Sequence, residues 1–118
     1  MHYCEECGKW YAEKHHIVFR SQGGLDIEVN YKYLCPEHHR GKDSPHMKRA
    51  INEKYKKEMQ DKLFQMFSKK DTYQVKEIAE IIGYDRKRLE KKFDKVKNHC
   101  GEYAVEDIIR KLMGGKIY

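Results

Sequence analysis

Long apolar runs are missing from this 118-residue chain. Its longest reach only a few residues, against the roughly 18 that a bilayer span requires, so no membrane-crossing helix is expected. The opening MHYCEEC has no basic stretch, apolar core or small-residue cleavage site, which argues against a secretory signal and for the cytoplasm. Cysteine is scarce, with four residues, and in a reducing compartment suitably spaced cysteines favour metal over disulfides. The length permits one compact domain or two very small ones that need stapling. What the chain does have is charge, with a net +6 and a pI near 9.1, a balance that favours an anionic polymer as partner. Residues 1–50 carry 8 Lys+Arg against 7 Asp+Glu and residues 51–118 carry 17 against 12, so nearly all of the positive excess lies in the second half.

The cysteines fall into a pattern. Cys4 and Cys7 form one CxxC hook, and Cys35 and His38 form a CxxH hook, with 27 residues between Cys7 and Cys35. Ligands at i and i+3 can turn toward one point, and two such pairs complete a tetrahedral Zn²⁺ site with three thiolates and one imidazole. Hooks of zinc ribbons usually lie about 15 to 20 residues apart, so this longer insertion needs a purpose. Cys100 is left over and reads as an ordinary helix or loop residue.

The insertion contains HHI at 15–17, RSQGG at 20–24, Asn30, and then LCPEHH at 34–39. In this order and spacing the stretch resembles an HNH endonuclease of the phage and bacterial type, built as a ββα-metal fold with a structural zinc knuckle. The resemblance covers the first 50 residues well and the rest loosely. Hydrolysis of a phosphodiester needs an activated water and a cation, and neighbouring strand residues point to opposite faces, so His15 and His16 can divide those tasks. The resemblance implies that His15 is a ligand of the catalytic ion, His16 the general base, Asn30 the residue that pins the loop and orients His16, and His39 the second ligand. Imidazole suits the base because it titrates near neutrality. Consecutive residues on a helical turn are rotated by about 100°, so His38 and His39 can serve two different metals.

Many members of the family place a further ligand four residues beyond the last histidine. Here that position is Asp43, an acceptable hard ligand for Mg²⁺ or Mn²⁺, but Gly41 and Pro45 predict that the helix breaks early, and His46 is its rival. Gly23 and Gly24 allow a close approach of backbone to a ligand, and Arg20 before them is placed to clamp a phosphate.

In the second half, Ile51, Tyr55, Met59, Leu63 and Phe67 recur every four residues, which predicts an amphipathic helix from about Met47 to Phe67. SKKDT at 68–72 reads as a polar break. The segment 75–93 resembles a helix-turn-helix, with Ala79, Gly83 and Leu89 at the signature positions, and Arg86, Lys87, Arg88, Lys91 and Lys92 would then line the DNA-facing helix. A solvated basic surface is the plain alternative. One more helix is expected with Ile108, Ile109 and Leu112 buried, stopped by Gly114 and Gly115.

The expectation is thus an α+β protein: a zinc-stapled ββα-metal nuclease core over 1–50, a connecting helix over 51–67, and a helix-turn-helix-like domain over 68–118. The implied activity is divalent-metal-dependent hydrolysis of DNA, leaving 5′-phosphate and 3′-hydroxyl ends. A non-catalytic zinc-containing DNA-binding regulator and a nuclease acting on RNA are the other readings, and an intact His16 argues against the regulator.

Overall fold

Two antiparallel strands, β1 (Glu13–His16) and β2 (Tyr31–Leu34), open the computed structural model of the protein, which describes residues 2–118. Neither strand alternates cleanly between apolar and polar residues. What fixes them is their surroundings: His15 and Leu34 are buried, and Glu13 lies opposite Leu34 and His16 opposite Tyr31. The connection over 17–30 folds inward, burying Ile17, Val18, Leu25 and Ile27. Gly24 lies so close to the chain before it that a Cβ would sit 1.8 Å from the Val18 carbonyl oxygen. The freedom of Gly24 therefore serves contact of the loop with itself, whereas the sequence suggested contact with a ligand.

Cys35 precedes the short helix α1 (Pro36–Arg40), with proline at its first turn, where no hydrogen bond is lost. The helix ends at Gly41, whose N–H bonds the Glu37 carbonyl at 2.8 Å, and a tight turn at Ser44 returns the chain toward β1. The early break expected from Gly41 and Pro45 is what brings His46 back beside α1. Next comes α2 (Arg49–Met66), which buries Tyr55, Met59 and Leu63 on one stripe that Phe67 continues, while Ile51 at its start is only partly covered. Gln60 is also buried, and its side-chain amide bonds both backbone groups of Tyr118, at 2.7 and 2.6 Å, tying down the C-terminus.

The second half holds α3 (Val75–Ile82), α4 (Arg86–Lys92) and α5 (Val105–Leu112). Gln74 and Glu77 cap α3 reciprocally, and Gly83 ends it with φ +73, which glycine adopts without strain. Asp85 caps α4 through the Arg88 N–H at 2.9 Å. This half is not wholly helical as expected: β3 (Thr72–Tyr73) and β4 (Tyr103–Ala104) pair antiparallel, with Tyr73 opposite Tyr103. The two strands open the two copies of a short internal repeat. Tyr73, Val75 and Ile78 recur as Tyr103, Val105 and Ile108, and each copy places a buried tyrosine on a strand, valine at the start of a helix, and a fully buried isoleucine one turn on.

The halves share one hydrophobic core that runs from Ile17 and Val18 through Met59 and Phe67 to Phe93 and Met113. At their junction Gly114, at φ +85, lies where a Cβ would meet the Gln22 carbonyl oxygen at 2.7 Å, so the end of α5 rests against the 17–30 loop. No helix among the described residues is long and apolar enough to cross a membrane.

Candidate metal centres

Cys4, Cys7, Cys35 and His38 converge from two elements, the N-terminal turn and the start of α1, with their ligand atoms within 4.8 Å of one another. The first hook is shaped by backbone bonds from Cys4 N–H to the Lys9 carbonyl and from Gly8 N–H to the Cys4 carbonyl, each 2.8 Å. Cys7 Sγ lies 3.7 Å from Cys35 Sγ, and His38 Nδ1 lies 3.7 Å from Cys4 Sγ and 3.3 Å from Cys35 Sγ. Tetrahedral bonds of about 2.3 Å to sulfur and 2.0–2.1 Å to nitrogen imply edges of roughly 3.5–3.8 Å, so these separations fit ligands around one ion. All four cysteines are free thiols. Burial opposes ionisation of Cys4, but backbone groups of Cys35, Cys7 and Glu6 outweigh it and bring the thiol down to about 6. Cys4, Cys7, Cys35 and His38 could hold a metal ion such as zinc.

A second group lies at the other end of β1. The rings of His15, His39 and His46 form a near-equilateral triangle, with centroids 5.1, 4.9 and 4.9 Å apart, and their ligand atoms are likewise within 4.8 Å. β1 supplies His15, α1 supplies His39, and the turn after α1 supplies His46. Phe19 stacks on His46 at 5.6 Å. Glu13 Oε1 is 2.8 Å from His39 Nδ1, which leaves Nε2 as the remaining nitrogen of that ring; a carboxylate behind a ligand histidine is the usual supporting arrangement. His15 is only 1% exposed, and its Nε2 has no hydrogen-bond partner among the described residues. Such a group is costly to bury unless something binds it. Burial, and then the charges of His39, His46 and His16, push the His15 pKa down to about 3. His46 is lowered too, by burial and then by His39. Uncharged rings are the form that ligates metal.

The triangle forms one side of an open cleft of about 490 Å³ that also contains Lys14, His16, Phe19, Arg20 and Ser21. His16 Nε2 lies 2.8 Å from Asp26 Oδ1. Arg20, assigned to a phosphate from its position in the sequence, instead grips Asp26 through Nε and Nη2, each at 3.1 Å. Asn30 is fully buried. Its Oδ1 accepts from the Val18 N–H at 2.8 Å, and its Nδ2 donates to the carbonyls of Val18 and Leu25 at 3.0 and 2.9 Å. It thereby ties both ends of the 18–25 loop together but makes no hydrogen bond to His16.

Of the two rivals for a third ligand, His46 joins the triangle, while Asp43 is exposed and bound to Lys48. On α4, Arg86 pairs with Glu90 at 3.1 Å, Arg88 lies over the Tyr84 ring at 5.1 Å, and Lys87, Lys91 and Lys92 are exposed. Glu13, Phe19 and Asp26 are the site residues that sequence reasoning missed. In the sequence Asp26 and Glu28 alike stand between apolar residues of the loop, so nothing singled out Asp26, and Glu13 and Phe19 had no signal either. No family model, curated protein or solved structure matches the chain.

Proposed function

We propose that this protein is a divalent-metal-dependent endonuclease of the HNH type that hydrolyses DNA, with a ββα-metal core made of β1, β2 and α1 and a zinc ion held by Cys4, Cys7, Cys35 and His38. The observation that carries the reading is the buried, partnerless Nε2 of His15 at the triangle with His39 and His46, in the same cleft as His16. His15, His39 and His46 would hold the catalytic ion. Three imidazoles suit a transition ion such as Ni²⁺, Zn²⁺ or Mn²⁺ better than the harder Mg²⁺, and an ion held there would supply charge neutralisation at the scissile phosphate and the leaving oxygen.

The remaining work falls to the chain. His16 lines the cleft with Nε2 engaged by Asp26, so Nδ1 is the nitrogen free to take a proton from water as its oxygen attacks phosphorus. The bond from phosphorus to the 3′ oxygen breaks, leaving a 5′-phosphate and a 3′-hydroxyl. Lys14 at the rim draws the phosphate backbone in, and Asn30 keeps the loop that carries Arg20 and Asp26 in one shape. The exposed lysines of α4 would add sequence-independent affinity. Abundant positive charge in the second half supports a nucleic acid as the partner.

The test is incubation of the purified chain with supercoiled plasmid and Mg²⁺, Mn²⁺ or Ni²⁺, with EDTA as control and a folded RNA as competitor substrate. Nicked or linear plasmid that requires the ion is the expected result, and His46→Ala should weaken the ion's hold far more than Asp43→Ala. Intact plasmid under every condition contradicts the proposal, and cleavage of RNA alone would reassign the substrate.

A further inference from the structure

We propose that Asp26 is a positioning residue for His16: its carboxylate holds the ring in one orientation and one tautomer, with the proton on Nε2 and the lone pair of Nδ1 presented to the cleft. This inference rests on the nuclease reading for its consequence in catalysis, but not for its geometry.

Leu25 and Ile27 are buried at 6% and 3% exposure, and the alternation between them turns Asp26 outward, toward His16. Asn30 fixes this stretch through the Leu25 carbonyl at 2.9 Å, so the asparagine acts on His16 at one remove, through the residue that follows Leu25. Arg20 grips both carboxylate oxygens of Asp26, its Nε bonding Oδ1 and its Nη2 bonding Oδ2, each at 3.1 Å. Two parallel bonds of this kind fix the plane of the carboxylate as well as its place.

The direction of the proton follows. The His16 contact, and then Arg20, hold the Asp26 carboxyl below the usual carboxylate range, so it is ionised and can only accept. The 2.8 Å contact to His16 Nε2 is therefore an N–H donated by histidine. A neutral imidazole has one N–H and one acceptor, which makes Nδ1 the acceptor, and no hydrogen bond engages it among the described residues. A base must present its lone pair to the water it activates. With the opposite tautomer, the acceptor would face Asp26 and the cleft would meet an N–H.

The experiment uses the zinc-loaded full chain with ¹⁵N-labelled histidine, assigned by a His16→Gln variant. In the wild type, the His16 ring nitrogens should show a single tautomer with Nε2 protonated; a proton on Nδ1 would overturn the proposal without any mutation. In Asp26→Leu, the ring should pass to a mixture of tautomers, and kcat for plasmid cleavage should fall about 100- to 10,000-fold, the range for loss of a positioned base or its correct tautomer, with KM within about threefold. Asp26→Asn keeps the shape and one acceptor oxygen and should recover part of kcat, and it serves in place of the leucine variant if that fails to fold. Unchanged kcat in a folded Asp26 variant with an active wild type refutes the positioning role alone. An inactive wild type refutes the nuclease reading, and the nitrogen spectra still decide whether Asp26 fixes the ring.

Discussion

The two halves of the molecule are held together by different means. Before residue 47 the interior includes His15, Asn30 and Ser44, polar side chains buried beside two clusters of metal-binding type. After Gln60 every buried side chain among the described residues is hydrophobic, and the only polar ring atoms inside are the tyrosine hydroxyls of Tyr73 and Tyr103. The first half therefore adds to its share of the hydrophobic core a few directed bonds, each of which fails abruptly if one partner is lost. The other depends on many contacts, each small. Both clusters of metal-binding type lie in the first, where directed bonds fix polar rings in angle as well as in place, which packing alone does poorly.

Substitution at the zinc-type cluster should separate the halves most. Cys35→Ser removes one of four converging ligands, and structural zinc contributes on the order of 10 kcal/mol to the folding of small domains. Zinc content should fall, and amide exchange should rise at β1 and β2 well before α3 and α5. Equal rises throughout would mean that the shared core makes the molecule one cooperative unit. Asn30→Ala should come next, because it strands the Val18 N–H and two carbonyls in the interior at about 1–3 kcal/mol each; a loss of roughly 3–5 kcal/mol in urea unfolding is expected. Leu89→Ala should cost a similar 2–5 kcal/mol yet leave the cleft unchanged, which is the sense in which the halves differ.

Acid should act on the first half through His15. Its folded pKa of about 3 lies below the ordinary imidazole value near 6.5, so the unfolded chain takes up the proton first. The stability that His15 contributes is complete above about pH 6.5 and is lost as pH falls from there toward 3, by up to a few kcal/mol. Comparing wild type with His15→Gln isolates this contribution, and parallel stability curves for the two would refute it. The smallest effect is expected on α4. Arg86→Ala with Lys87→Ala and Lys91→Ala should reduce the salt dependence of DNA binding by up to about one slope unit per lost phosphate contact. Arg86 is partnered by Glu90, so Lys87 and Lys91 should account for most of the change. Unaltered binding at several salt concentrations would make α3 and α4 a purely structural pair.

Much of this architecture was legible in the sequence where a period or spacing encodes it. The stripe from Tyr55 to Phe67, the turn at Gly83 and the two hooks all rest on neighbours three or four residues apart, and the structure places them where those spacings predict. The strands β3 and β4 were not legible as strands, because two residues carry no alternation; only comparison of Tyr73–Ile78 with Tyr103–Ile108 exposes them. Glu13 behind His39, Asp26 behind His16 and Gln60 on the C-terminus were hidden for another reason. Each acts across 10 to 58 residues of chain, and a hydrogen bond between distant side chains leaves no local pattern. Choosing His46 over Asp43 likewise required seeing that the chain doubles back after Gly41.

If His16 activates water beside an ion held by His15, His39 and His46, removal of its ring removes the base. The most direct measurement is the single-turnover cleavage rate of His16→Ala at saturating DNA and divalent ion. A loss of about 100- to 10,000-fold is expected, with zinc content and DNA affinity retained, whereas a rate within a factor of two of wild type would exclude His16 as the base.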